Sequence, residues 1–244
     1  MIALLERWAR GRAGAAGGLR SAGRSHVGRV RAVNEDRILE RSDRGLWAVA
    51  DGMGGHQAGD LAAAAAVDAL DRLADRAAPV TADAVLASLG EADRLIGARG
   101  GEAASGTTVV ACLVERGRAT LFWAGDSRAY RLCAGGGAEL LTRDHSLVQE
   151  MVDSGAIAPE EAAIHPKSNV VTRALGIAGL GAVDTRTVAL RPGDRLLLCS
   201  DGLSRSLDPR DLRPELSLEN QADRLLVNAL RRDGGDNTSL VLIG

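Results

Sequence analysis

The chain has 244 residues, with 30 Lys and Arg against 32 Asp and Glu and a formal charge of −2. That balance exerts no overall pull toward nucleic acid or an anionic membrane, and aromatics at 2% leave little stacking surface for single strands, so neither partner is expected. The length allows one large domain, whose core must be built from Ala, Leu and Val.

The N-terminal run from Met1 to Arg12 places charges where a secretory signal needs an unbroken apolar stretch. No stretch elsewhere approaches the roughly 20 apolar residues that span a bilayer. Residues 1–18 read as a flexible tail or short helix, and residues 19–244 as the domain. Cys112, Cys133 and Cys199 are odd in number and far apart, which suits buried thiols of a reducing compartment rather than a zinc site. A soluble, cytoplasmic monomer is the expectation.

From about Arg20, short β-like runs alternate with tight turns. Val27 to Val33, Arg37 to Glu40 and Gly45 to Asp51 read as a first meander, the last ending on an Asp-Gly turn. Ala58 to Arg76, with Leu61, Leu70 and Leu73 near helical spacing, and Thr81 to Ile96, opened by a capping Thr, predict two antiparallel helices. Thr107 to Val114, Arg118 to Ala124 and Ser127 to Leu132 look like consecutive hairpins of a second sheet. Ser146 to Ser154 and Pro159 to Ile164 read as short helices. Strands are expected at Val170 to Ala174, Val183 to Leu190 and Arg195 to Ser200, then a helix at Leu218 to Arg232 and a closing strand at Ser239 to Ile243. Strands in two batches, with helices inserted as a pair, predict an α+β sandwich of two antiparallel sheets with helices packed outside.

Five acidic residues fall in four turn-rich motifs along this frame: Glu35 and Asp36 in Asn-Glu-Asp, Asp51 in Ala-Asp-Gly-Met-Gly-Gly-His, Asp201 in Cys-Ser-Asp-Gly-Leu, and Asp236 in Gly-Gly-Asp-Asn. Each stands at or beside a strand-like run, so folding can gather them at one rim. Hard divalent cations such as Mg²⁺ and Mn²⁺ prefer oxygen ligands and keep much of their water, so a few carboxylates and one backbone carbonyl suffice for a binuclear site. Glycines after Asp51 and Asp201 are expected to permit sharp turns, and Gly52 to let its carbonyl approach an ion.

Eight ordered motifs from about Ser21 to Ile243 resemble the metal-dependent protein Ser/Thr phosphatases of the protein phosphatase 2C-like (PPM) family, in compact bacterial form. They are Arg31-x-x-Asn34-Glu35-Asp36, Asp51-Gly52-Met53-Gly54-Gly55-His56, Ser105-Gly106-Thr107-Thr108, Gly125-Asp126-Ser127-Arg128, Asp144-His145-Ser146, Val171-Thr172-Arg173, Ser200-Asp201-Gly202-Leu203 and Gly235-Asp236-Asn237. The resemblance implies a four-layer α/β/β/α sandwich. It also implies that Asp51 bridges two Mn²⁺ or Mg²⁺ ions, that Glu35 and the Gly52 carbonyl complete one shell, that Asp201 and Asp236 hold the other, and that Asp36 supports both through water. Arg31 takes the place of the family's phosphate-binding arginine, whose fork of donors suits a bidentate grip on phosphate.

Two positions depart from the family pattern. Asp126 matches a residue that supports a third ion in many relatives, but where those place another aspartate this chain has Arg205, a cation that repels a metal; Asp126 is therefore either a third-ion ligand or a turn residue. His56 comes three residues after Met53 rather than directly after Asp-Gly, and is either a general acid or a helix-start packing residue. His145 is expected to cap or buttress the helix after it, and residues 147–168 resemble a mobile flap beside the site.

The function implied is hydrolysis of phosphoserine and phosphothreonine on proteins, reversing a Hanks-type kinase and linked in some relatives to type VI secretion. The alternative is an inactive module of the same fold; such proteins usually lose metal carboxylates, and all five are kept here. A stress-regulator phosphatase of the same superfamily would typically lack Arg31.

Overall fold

A computed structural model describes residues 18–54, 58–99, 105–162, 164–177 and 183–244. Two five-stranded antiparallel sheets form its centre. The first has the order β1 (Ser21–His26), β10 (Thr238–Ile243), β9 (Arg195–Cys199), β6 (Arg128–Leu132) and β7 (Ala138–Leu140). The second has the order β2 (Asp36–Arg41), β3 (Leu46–Met53), β4 (Gly106–Glu115), β5 (Arg118–Ala124) and β8 (Asp184–Ala189).

Three apolar layers hold these sheets. Between them lie Trp47, Val49, Val110, Cys112, Leu121, Leu196, Leu198, Val241 and Ile243, alternate residues of strands that are buried on both faces and therefore read as continuous apolar runs. The outer face of the second sheet is covered by α1 (Ala58–Ala74) and α2 (Ala82–Arg99), through Ala62, Ala66, Leu70, Leu73, Val85, Leu89 and Ile96. Alanines at helical spacing let α1 lie close to the strands, which is how a chain with so few aromatics fills its core. The first sheet is covered by α6 (Leu218–Arg232), whose Ser217 caps it by accepting from the Asn220 amide at 3.2 Å and whose Leu218, Ala222, Leu225 and Ala229 face inward. This is the expected four-layer α/β/β/α sandwich.

Two expected strands are absent from their positions. Residues 27–33 form a loop, while β1 lies just before it and pairs in register with β10, from Ser21 against Ile243 to His26 against Thr238. Gly28 in the left-handed region (φ 85°) breaks the run, and the Asn237 side chain takes the Val27 and Val33 carbonyls that a ladder would have used. Residues 170–174 make only isolated bridges, Ser146 with Val171 and, just beyond, Thr107 with Leu175. The same connection carries α3 (Leu147–Asp153), capped by Ser146, and α4 (Pro159–Ala162). One further short helix, α5 (Asp201–Ser204), was not expected; it opens on a carboxylate of the site.

Candidate active site at the shared rim of the two sheets

Asp36 begins β2 and stands opposite Asp51 in the β2–β3 ladder; Asp51 in turn stands opposite Thr108 of β4. The Thr107 hydroxyl donates to the Asp51 carbonyl at 2.9 Å, which fixes the end of β3. Ser200, at the end of β9, donates from its hydroxyl to Asp36 Oδ2 at 2.9 Å and accepts from the Ser239 amide at 3.0 Å. One hydroxyl thus ties the first sheet to the carboxylate that begins the second. Asp201 follows directly as the first residue of α5.

Asn237 is the other tie. Its side-chain oxygen accepts from the Glu35 amide at 2.8 Å, and its amide donates to the Val27 and Val33 carbonyls at 2.8 and 3.0 Å. The loop so anchored carries Arg31, which donates to Asp236 Oδ2 at 2.8 Å and also lies in the field of Asp51 and Glu35. Asp236 itself accepts the Asn237 amide at 2.8 Å.

The glycines serve close approach rather than turning. A Cβ on Gly52 would stand 2.1 Å from the Gly59 carbonyl oxygen, and one on Gly202 would stand 2.0 Å from that of Asn237. Neither glycine is in the left-handed region, so the expected sharp turns are not the reason for them. What they permit is the packing of α1 onto the end of β3, and of α5 onto the 234–237 turn. At Gly125 both reasons hold, since φ is 115° and a Cβ would fall 2.4 Å from the Thr108 Cβ.

Folding therefore brings Glu35, Asp36, Asp51, Gly52, Asp201 and Asp236 to one rim, with Arg31 at its edge and Asp126 beside it. The electrostatics record their proximity. Burial pushes the Asp51 carboxyl well above its ordinary range, and the charges of Asp36, Asp201, Asp126 and Asp236 add to that. Burial lifts Asp36 to about 7, with Ser200 opposing and Asp201 and Asp236 adding. Asp126 is likewise pushed up to about 7, first by burial and then by Asp201 and Asp144, with Arg205 opposing. Asp201 is raised by burial against the pull of Arg205. Like charges confined out of water favour protonation unless a cation joins them.

Among the described residues, no three Asp, Glu, His or Cys side chains are grouped closely enough to close on one ion as they stand. Arg31 and Arg205 hold oxygens of Asp236 and Asp201. A backbone carbonyl, such as that of Gly52, also lies outside any count of side chains. The donor set nevertheless fits a hard cation. Glu35 Oε1, Asp36 Oδ1 and Asp201 Oδ1 are buried oxygens with no hydrogen-bond partner, an arrangement that is costly unless an ion or ordered water completes it.

His56 lies outside the described residues. His145 does not cap α3, a task done by Ser146; its Nδ1 accepts from the Gly125 amide at 3.2 Å, Nε2 faces Asp184 at 3.2 Å, and its ring stacks on Trp123. It buttresses the turn that carries Asp126. Ser200 and Asn237 had been visible only as motif letters. The signal that could have singled them out is the need of any carboxylate cluster for nearby hydroxyl and amide donors.

The family profile described as Protein phosphatase 2C matches residues 22–240. A serine/threonine phosphatase stp of Listeria welshimeri is 36% identical over 90% of this chain and 93% of its own length. PppA of Pseudomonas aeruginosa, described as a key regulatory component of T6SS, superposes with a TM-score of 0.82 at 37% identity, over 92% of this chain and 96% of that one. The catalytic domain of the serine/threonine protein phosphatase PstP, solved with 2 manganese ions, gives 0.82 at 35% identity over 92% and 97%. Its motifs, its sandwich and these likenesses place the chain in the protein phosphatase 2C family of metal-dependent serine/threonine phosphatases.

Proposed function

We propose that this chain hydrolyses phosphoserine and phosphothreonine monoesters on proteins at the rim formed by Glu35, Asp36, Asp51, Asp201 and Asp236, using two Mn²⁺ or Mg²⁺ ions. The observation that carries the reading is the set of partnerless buried oxygens on Glu35, Asp36 and Asp201, lying beside the Asp36–Asp51 pair. Asp51 would bridge the ions, Glu35 and the Gly52 carbonyl would hold one, Asp201 and Asp236 the other, and Asp36 would support them from the end of β2. Two such ions would supply a nucleophile from water at neutral pH and neutralise charge on the phosphoryl oxygens.

The protein's own part is positioning. Arg31 extends over the edge of the cluster on a loop fixed by Asn237, and its guanidinium is half exposed, with donors in excess of the one spent on Asp236. A phosphate monoester approaching the rim meets that fork first, which orients the phosphoryl group over the carboxylates. Ser200 and Thr107 hold Asp36 and the Asp51 backbone in place, which limits how far the cluster must rearrange to bind ions.

All proposed ligands come from one chain, which supports action as a monomer. The free thiols Cys112, Cys133 and Cys199 support a cytoplasmic setting, and among the described residues no helix is long and apolar enough to cross a membrane. The partners are phosphoproteins, including a separate Hanks-type kinase or its substrates; the likeness to PppA supports a link to type VI secretion.

The test is phosphate release from a phosphothreonine peptide, with and without Mn²⁺, with EDTA, and in Asp51→Asn. Turnover that needs the ion and is lost in the variant is the expected result. A folded, Mn²⁺-loaded protein that releases no phosphate from any phosphopeptide would return the inactive-module alternative.

A further inference from the structure

Asp201 divides its two oxygens between different surroundings. Oδ1 is buried without a partner, whereas Oδ2 accepts from the Arg205 guanidinium at 2.5 Å. Arg205 is placed for this by α5, whose single turn it caps at the C-terminal end, with the Arg205 amide donating to the Asp201 carbonyl at 3.0 Å. The same guanidinium acts on Asp126, a buried carboxylate held by the Gly125 turn, where it is the cation that opposes burial and the charges of Asp201 and Asp144. One positive charge therefore serves two carboxylates on the outer side of the cluster. Arg205 also lines a cavity of about 520 Å³ with Asp208, Arg210 and Arg232.

We propose that Arg205 is a built-in cation for the Asp126–Asp201 pair, so that this chain binds two divalent ions and no third. The proposal rests on the two-ion phosphatase reading above and specifies it further. A metal at the outer pair would need the Asp201 oxygen that Arg205 holds, and would have to approach a fixed positive charge through a partly desolvated gap, where repulsion is poorly screened. The guanidinium supplies what an ion there would supply, a positive charge against the outer oxygen of Asp201, and leaves the other oxygen of that carboxylate unpartnered. Arg205 is thus a positioning residue acting through Asp201.

The experiment is a Mn²⁺ titration of the whole chain, following free ion by its electron paramagnetic resonance signal at protein concentrations high enough to register weak sites. Wild type and Arg205→Lys should saturate at two ions per chain. Arg205→Asp should gain a weaker third ion, and the additional change Asp126→Asn should remove it again. Wild type taking up three ions overturns the proposal while leaving the phosphatase reading intact. Wild type binding fewer than two overturns that reading, and the proposal with it. Arg205→Asp that keeps the wild-type fold by circular dichroism and still stops at two also overturns the proposal. The wild-type count decides the matter even if that variant does not fold.

Discussion

Asp36 and Asp51 face each other as cross-strand partners at the end of the β2–β3 ladder, two carboxylates where a ladder ordinarily avoids like charges. The Ser200 hydroxyl relieves one oxygen of Asp36 and leaves the other without a partner. Such a pair is costly in the metal-free protein and useful once a cation joins it. Asp36→Asn should therefore have opposite effects on two measurements. Metal-free stability at neutral pH should rise by about 1–3 kcal/mol, the cost of an unsatisfied buried charge, while Mn²⁺ affinity falls by roughly 10–100-fold, as for removal of a residue that supports a ligand. Urea unfolding and calorimetric Mn²⁺ binding on the same variant give both numbers; a loss of metal-free stability with Mn²⁺ affinity unchanged would show Asp36 to be purely structural.

The same burial sets a pH dependence. Asp36 is raised from 3.8 to about 7 in the folded, metal-free chain, and Asp51, Asp126 and Asp201 are raised with it. A carboxyl whose folded pKa lies above its unfolded value binds more protons when folded, so its stabilising contribution is complete below the unfolded value and is lost as pH rises through the folded one. With EDTA, the contribution of these groups to the melting temperature should decline between pH 4 and pH 7. Added Mn²⁺ should raise the melting temperature more at pH 7.5 than at pH 5, because binding must displace those protons. Thermal melts at several pH values, with and without the ion, measure this; a Mn²⁺ shift larger at the acid end would contradict it.

Arg31 reaches the site from a loop and, among the described residues, pairs with one carboxylate, Asp236. Loss of one charge-assisted contact to phosphate is worth about 1.5–3 kcal/mol, so Arg31→Ala should lower kcat/KM for a phosphopeptide by roughly 10–100-fold, mainly through KM, and spare Mn²⁺ binding. Arg31→Lys should recover part of the loss, since a lysine supplies the charge without the fork. A wild-type KM in Arg31→Ala would refute the assignment.

The Asn237 side chain holds Glu35 and both ends of the Arg31 loop. Asn237→Ala should cost about 2–4 kcal/mol of stability, since three partners lose hydrogen bonds that net about 1 kcal/mol each and two of them are carbonyls turned inward. It should also lower kcat/KM, because the arginine loop and a carboxylate are freed together. Asn237→Asp keeps the oxygen that accepts from Glu35 and loses the donors, so it should mobilise the arginine loop while retaining the β2 end. Hydrogen exchange at residues 27–35 in the two variants separates these effects.

Local sequence determined a great deal. Apolar runs at β3, β4, β9 and β10 read as strands, the Ala- and Leu-rich run from residue 58 as a helix, and carboxylates beside turn glycines marked the rim. Those signals are local, because periodicity and hydrogen-bonding chemistry act over a few residues. Decisions made by contacts between distant segments were not legible. Residues 27–33 look like a strand and became a loop because a side chain some 200 positions away, Asn237, takes their carbonyls. Gly52 and Gly202 looked like turn residues and proved to be contact points, because another part of the backbone passes where a Cβ would stand. Arg205 was visible as a residue unlike its surroundings, but only the single turn of α5, folded against the 234–237 turn, aims its charge back at Asp201 and across to Asp126. The composition of the site could be read from the sequence, whereas the pairing of its charges depended on which distant segments close-packing brings into contact.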